Sequence, residues 1–279
     1  MHFQHLYKQT NSNQSIFYGW FQAMHTRIDI ALCRLDEQRA LELTEKIYAE
    51  INRIELMADR FNPQSEISLI NRLAAVEPLP VSDEWFAMIE QCINYNRISA
   101  GLFDVTVNSL NNHKDGINEI ELDPELKTVY FKHPDVQIDL NGYIKGYALD
   151  KVKDILLENQ CNDALVNMGN SSILAIGNHP NGEGWSVSLP NKPGKAVILQ
   201  DEFLTTSGNA DHYLHIINPP TGEPVNSTAI ISVVTKNATD GEVLSTSLCV
   251  SQPEKRSAIC KKFNGSMILS PRPPKVSPR

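Results

Sequence analysis

The residues best suited to chemistry fall in three short groups. Between Ile138 and Asp150 the chain reads Ile-Asp-Leu-Asn-Gly-Tyr-Ile-Lys-Gly-Tyr-Ala-Leu-Asp, with Gly142 and Gly146 bracketing Lys145. A glycine-bearing turn that opens a helix presents backbone N–H groups and the positive end of the helix dipole, which suits phosphate. Lys145 adds a point charge at that place. The same residues also describe an ordinary strand-to-helix connection. The second group is Glu242 and Thr246, four apart and so one above the other on a helical face. Spacing alone describes a solvated glutamate and an ordinary helical threonine equally well. The third is His215, with His212 three residues upstream. A neutral imidazole near a hydroxyl can act as a general base, or it can simply orient its loop.

These groups need elements to carry them. Val136 and Ile138 at period-two spacing predict a strand closing at Leu140, and Ala148, Val152, Ile155 and Leu156 predict a helix from about Lys145. A helix is expected over 36–60, with Leu43, Ile47, Ile51 and Ile54 on its apolar face. Another is expected from an N-cap at Ser82 to Gly101, with Asp83 and Glu84 at its positive end. Strands are expected within 16–32 and at 103–107, 164–166, 172–176, 185–189, 196–199, 203–205, 230–234 and 267–269, with a helix over 242–250. Asn111 to Asn118 reads as a polar loop.

At 279 residues, with 41% hydrophobic and 21% charged residues, the chain has the composition of a globular protein with a sizeable core. A net charge of −8 argues against a broad nucleic-acid surface. No apolar run approaches the ~20 residues of a membrane span. Residues 1–15 are polar and read as a loose leader without a secretory signal, so a cytoplasmic location is expected, an exported mature form being the alternative. Residues 270–279 are rich in proline and basic side chains and read as a disordered tail. The five cysteines have no metal-site or redox spacing and read as core thiols.

The central stretch Asp139-Leu140-Asn141-Gly142-Tyr143-Ile144-Lys145-Gly146-Tyr147-Ala148 resembles the D-x-G-G-x-A-K-G-Y-A signature of the ApbE family, the FAD:protein FMN transferases. Further motifs follow in that family's order. Ala23-Met24-His25-Thr26 resembles A-M-G-T. Phe61 to Ser68 with Asn71 resembles Y-x-P-x-S-E-I-S-x-x-N, and Gly101 to Val107 resembles G-x-F-D-x-T-V. Leu165 to Gly169 resembles L-V-N-L-G. Thr206-Ser207-Gly208 with His215 to Val225 resembles T-S-G…H-I-I-D-P-x-T-G-x-P-V, and Leu244-Ser245-Thr246 closes the series.

The resemblance implies an α+β fold, ApbE-like and T-fold-like, with antiparallel sheets and packed helices in a single domain over 16–269. It implies transfer of FMN from FAD to a threonine hydroxyl of an acceptor protein, with release of AMP. A Mg²⁺-dependent FAD pyrophosphatase and a non-catalytic flavin-binding relative are the alternatives. His215 and Lys145 would be the catalytic residues. Met24, Phe61, Asn141, Lys145, His215 and Ile217 would contact FAD, Phe61 by stacking, though a buried ring is equally compatible with its position. Mg²⁺ would be held by the Ile144 carbonyl, Glu242 and Thr246, with Asp240 as a substitute ligand. The chain departs from the family pattern at His25 for glycine, Asn141 for glycine, Asn108-Ser109 for glycine-proline, Asn170 and Ser171 in place of a glycine and a carboxylate, Asn218 for aspartate and Glu242 for aspartate.

Overall fold

The computed structural model describes residues 3–11, 14–189, 194–209, 214–227, 229–263 and 265–271. The first strand, β1 (Gln4–Asn11), pairs antiparallel with β2 (Gln14–Ala23), which returns as β3 (Thr26–Cys33). The leader expected at residues 1–15 is therefore an edge strand over Gln4–Asn11. Its polar composition suits an edge that faces solvent and hides the apolar alternation of a strand. Tyr7 fastens it by donating its hydroxyl to the Leu35 carbonyl at 3.2 Å. The β2–β3 turn has only Met24 and His25 between the paired Ala23 and Thr26, both with positive φ (50° and 56°). That is the backbone of a tight hairpin turn, so His25 takes the conformation a glycine would adopt freely.

Helix α1 (Glu37–Ala58) starts at Asp36, whose side chain accepts from the Arg39 N–H, and buries Leu43, Ile47, Ile51 and Ile54 as its periodicity predicts. After α2 (Glu66–Leu73) and the short β4 (Leu79–Pro80) comes α3 (Asp83–Ser99). Ser82 caps α3 by accepting from the Trp85 N–H, and Ala100, in the left-handed region, turns the chain out one residue before Gly101. Strands β5 (Ile120–Asp123) and β6 (Thr128–Phe131) form a small sheet with β4.

Two predicted strands are absent. Residues 103–107 form turns, because Asp104 Oδ1 accepts from both the N–H and the hydroxyl of Thr106 and competes with ladder bonding. Residues 136–140 join no sheet. The Asn71 side chain accepts from the Ile138 N–H at 2.7 Å and donates to the Ile138 carbonyl at 2.9 Å, while the Asp139 N–H donates to the Val105 carbonyl at 2.7 Å.

Helix α4 (Ile144–Glu158) leads to β7 (Ala164–Met168), β8 (Ser172–Ile176), β9 (Trp185–Ser188), β10 (Ala196–Leu199) and β11 (Glu202–Ser207). The short pair β12 (Ile217–Asn218) and β13 (Glu223–Pro224) precedes β14 (Ala229–Thr235), α5 (Ala238–Val250), α6 (Arg256–Lys262) and β15 (Ser266–Pro271). The main sheet is antiparallel, ordered β1-β2-β3-β7-β8-β11-β14-β15, so both ends of the described chain form its edges. The part of the expected tail at 270–271 belongs to β15; residues 272–279 lie outside the described residues.

Helices α1, α4 and α5 cover one face of this sheet. The β9–β10 ribbon covers the other face at its centre, where Trp185 and Leu199 pack on Ile173, Ala175 and Leu204. Strand β8 is therefore covered on both faces, and every residue of Ser172–Ile176 is buried. All five cysteines are free and buried. No helix among the described residues is long and apolar enough to cross a membrane.

Candidate functional site

Two helix N-termini meet at the site. Gly146, in the first turn of α4, lies so close to α5 that a Cβ there would stand 2.7 Å from the Ala238 carbonyl oxygen. Helix α5 has no capping side chain at its own Asn237. Asp150 of α4 supplies the cap, accepting from the Ala238 N–H at 2.7 Å and the Thr239 N–H at 3.0 Å. Gly241, one turn into α5, lets the helix settle onto β11, since a Cβ there would meet Thr205 Oγ1 at 2.5 Å.

This packing points Glu242 inward. Its side chain is buried and accepts one hydrogen bond among the described residues, from the Ser172 hydroxyl of β8. Burial pushes the carboxyl up to about 7, against the opposing pull of Ser172 and of the Lys145 ammonium. The Lys145 ammonium on α4 is thus close enough for its charge to act on Glu242. One turn further along α5, half-buried Thr246 lies 3.5 Å, oxygen to oxygen, from Ser207 at the end of β11, and Ser207 also bonds Ser245 at 2.7 Å. Ile144 is the first residue of α4.

Asp240 does not share this position. It takes the Tyr95 hydroxyl at 2.7 Å and lies about 200° around the helix from Glu242. The substitute ligand considered from sequence is therefore committed elsewhere.

The central turn is tighter than its glycines suggest. Asp139, buried, accepts from the Asn141 N–H at 3.0 Å, from Asn108 Nδ2 at 2.7 Å and from Arg60 Nη1 at 2.5 Å. The Tyr143 and Ile144 N–H groups both donate to the Leu140 carbonyl at 2.8 Å. The backbone donors in position to face an anion are then those of Gly142, Lys145 and Gly146, and Asn141 sits exposed beside them.

Phe61 is 78% exposed, which overturns the buried reading of its ring. Arg60 turns inward to Asp139 while the Phe61 N–H bonds Asp59 Oδ1 at 2.9 Å, and that Asx turn throws the ring outward. The Arg60 guanidinium lies 5.1 Å from the ring centroid. Met24 is buried at the hairpin tip, beside the β7–β8 turn, where Gly169 donates its N–H to the Arg27 carbonyl at 3.0 Å.

His215 and Ile217 lie in the segment before β13. His215 is exposed, and the N–H groups of His215 and Ile216 both donate to Asn209 Oδ1, which ties this loop to the end of β11 near Thr246. His212 lies outside the described residues. The structure thus brings the charge of Lys145 near Glu242, with Thr246 one turn along α5, and sets Asn141 and Phe61 in a second cluster around Asp139.

Sequence reasoning did not assign Ser172, Ser207, Arg60, Asn108 or Asp150 to this region. Asp150 had a visible signal: it lies two turns past Gly142 within the central stretch, but its partner is 88 residues away.

The donor set around Glu242 fits a hard divalent cation. Burial holds the Glu242 carboxyl above the usual range, a shift that a bound cation would offset, and Thr246 one turn along α5 adds a hydroxyl oxygen.

An antiparallel sheet with helices on one face and a polar site where two helix N-termini meet define an α+β protein with a buried acidic site at a helix junction. The sequence model of the ApbE family matches residues 24–269, and the chain belongs to that family. It is 30% identical over 220 residues to an FAD:protein FMN transferase of Chlamydia pneumoniae, covering 68% of this chain and 69% of that one. It is 26% identical over 274 residues to the FAD:protein FMN transferase of Chlamydia muridarum, covering 86% and 85%. The fold is that of the flavinyl transferase ApbE of Pseudomonas stutzeri, with TM-score 0.81 at 20% identity over 95% of both chains. It is also that of the flavin transferase ApbE of Vibrio cholerae, with TM-score 0.76 at 21% identity over 96% of this chain and 93% of the other.

Proposed function

We propose that this protein is an FAD:protein FMN transferase that moves FMN from FAD to a threonine hydroxyl of an acceptor protein and releases AMP, with Mg²⁺ as its cation. The observation that carries this reading is the Glu242 carboxyl buried where α4 and α5 meet, within the field of the Lys145 charge. A carboxylate and a lysine so placed can serve a cation and a diphosphate at one point. Glu242, Thr246 and the Ile144 carbonyl would hold Mg²⁺, which when bound supplies Lewis-acid stabilisation to the phosphate oxygens.

The chain's own residues do the rest. Lys145 and the free N–H groups at the start of α4 bind the diphosphate and offset the charge that grows on the departing AMP oxygen. His215, on the loop anchored by Asn209, takes the proton of the attacking threonine hydroxyl as it bonds to the FMN-side phosphorus. Met24, Phe61, Asn141 and Ile217 would contact the flavin portion of FAD. The exposed ring of Phe61 is available to stack on an incoming flavin.

The test is incubation with FAD, Mg²⁺ and a threonine-bearing candidate acceptor, scored for covalent flavin fluorescence and AMP. Wild type should yield both, and Glu242→Ala neither while still folding. AMP without covalent flavin would mean that water replaces the threonine. Bound FAD with neither product, across acceptors that a working family member modifies, would overturn the proposal.

A further inference from the structure

Away from the Glu242 region, two imidazoles and a carboxylate converge from three stretches of backbone. The rings of His113 and His133 stack at 4.1 Å between centroids and 8° from parallel. His113 Nε2 lies 2.7 Å from Glu119 Oε2. One ligand-type atom from each of the three residues falls within 4.8 Å of the others, and all three side chains are half-buried. We infer that His113, Glu119 and His133 form a binding site for a divalent transition-metal ion of the zinc class, separate from the oxygen donors around Glu242.

The backbone holds these ligands in place before any ion arrives. Glu119 immediately precedes β5 and His133 lies two residues past β6. The β5–β6 ladder pairs Ile120 with Phe131 and continues as the Lys132 N–H donating to the Glu119 carbonyl at 2.9 Å. His113 ends a short turn anchored at Asp135, where the Leu110 N–H donates to the Asp135 carbonyl at 2.8 Å and Asn111 Nδ2 to the Asp135 carboxylate at 3.1 Å. Positions 113, 119 and 133 are thus fixed by hydrogen bonds outside the ligand set, which is the support a metal site needs.

The ligand chemistry selects the ion. Two imidazole nitrogens and one carboxylate suit Zn²⁺ and its neighbours in the first transition row, whereas Mg²⁺ and Ca²⁺ prefer oxygen alone. An ion ~2.1 Å from each ligand holds them about 3.4 Å apart, so the His113–Glu119 contact opens and the two stacked rings turn out of parallel until both ring planes contain the ion. His133 Nδ1 accepts the Asp135 N–H at 3.2 Å, which leaves Nε2 as its ligating atom. Binding through Nε2 moves the ring proton to Nδ1, which gives up the hydrogen bond from the Asp135 N–H and turns to the Asp135 carboxylate, 4.0 Å away. A carboxylate behind a ligating histidine orients the ring in this way. Three protein ligands leave a fourth position for water.

The site would also stiffen its surroundings. Lys114, next to His113, donates to the Thr221 carbonyl at 3.0 Å across a cleft of about 250 Å³. Fixing His113 fixes one wall of that cleft.

The experiment uses the full chain, stripped with chelator and titrated with Zn²⁺ by calorimetry and with Co²⁺ by visible absorption, without Mg²⁺. One saturable equivalent, a Co²⁺ d–d band of nitrogen-oxygen type without thiolate charge transfer, and a rise in Tm on Zn²⁺ addition are expected. His113→Ala and His133→Ala should each weaken Zn²⁺ binding by at least about tenfold, Glu119→Gln should weaken it less, and excess Mg²⁺ should not compete. No saturable binding by the wild type would overturn the inference, and that arm requires no variant to fold. Undiminished affinity in the His113→Ala/His133→Ala double variant would overturn it too, by placing the ion elsewhere.

Discussion

Asp150 on α4 supplies the N-cap of α5, its two carboxylate oxygens taking the N–H groups of Ala238 and Thr239 at 2.7 and 3.0 Å. One side chain therefore joins the helix that carries Lys145 to the helix that carries Glu242 and Thr246. Asp150→Ala should lower stability by about 1–2 kcal/mol, the scale of a lost cap with its donors left unpaired. A urea midpoint shifted at unchanged slope is the readout. Asp150→Asn, which keeps one acceptor, should recover part of the loss.

Gly146 tests the same junction by volume. Gly146→Ala puts a methyl 2.7 Å from the backbone of Ala238 and Thr239, so two helix termini must separate. A loss of about 1–3 kcal/mol is expected. Gly182→Ala, with nothing within 4 Å of the new methyl, should leave Tm nearly unchanged. Equal small effects at both sites would mean that α4 and α5 do not pack this closely.

Glu242 should make the metal-free protein's stability depend on pH. Burial raises its carboxyl from 4.5 to about 7, so between those values the folded protein keeps a proton that the unfolded chain has released. The associated stability is full below about pH 4.5, is lost as pH rises through about 7, and is flat above. The span is about 3 kcal/mol. Subtracting the profile of Glu242→Gln from that of wild type in chemical denaturation should isolate this slope. A difference flat from pH 4 to 8 would show that the carboxylate is solvated.

Lys145 should matter for FAD more than for FMN, because its position suits a diphosphate. Lys145→Ala should weaken FAD binding by about 1–3 kcal/mol, read by flavin fluorescence titration, with a smaller change for FMN. Equal affinities for both flavins, unmoved by the substitution, would remove Lys145 from the diphosphate site.

What the sequence determined by itself is what short-range physics encodes. The apolar face of α1, the Ser82 cap of α3 and the fully apolar run within β8 appear where periodicity and capping place them, since each depends on neighbours within a turn or two. The ordered motifs likewise carried the family, and with it the α+β architecture. Tertiary structure decided the rest. Strand β1 is a strand only because β2 lies beside it, and residues 136–140 join no ladder, the Ile138 backbone being taken by Asn71 and the Asp139 N–H by Val105. Phe61 points outward because Arg60 is drawn to a carboxylate 79 residues away. The burial of Glu242 against Ser172, 70 residues distant, and the convergence of His113, Glu119 and His133 follow from the same cause. Periodicity reports which side of an element is apolar; the partner that a polar side chain meets across the fold depends on how the elements stack, which no local pattern records.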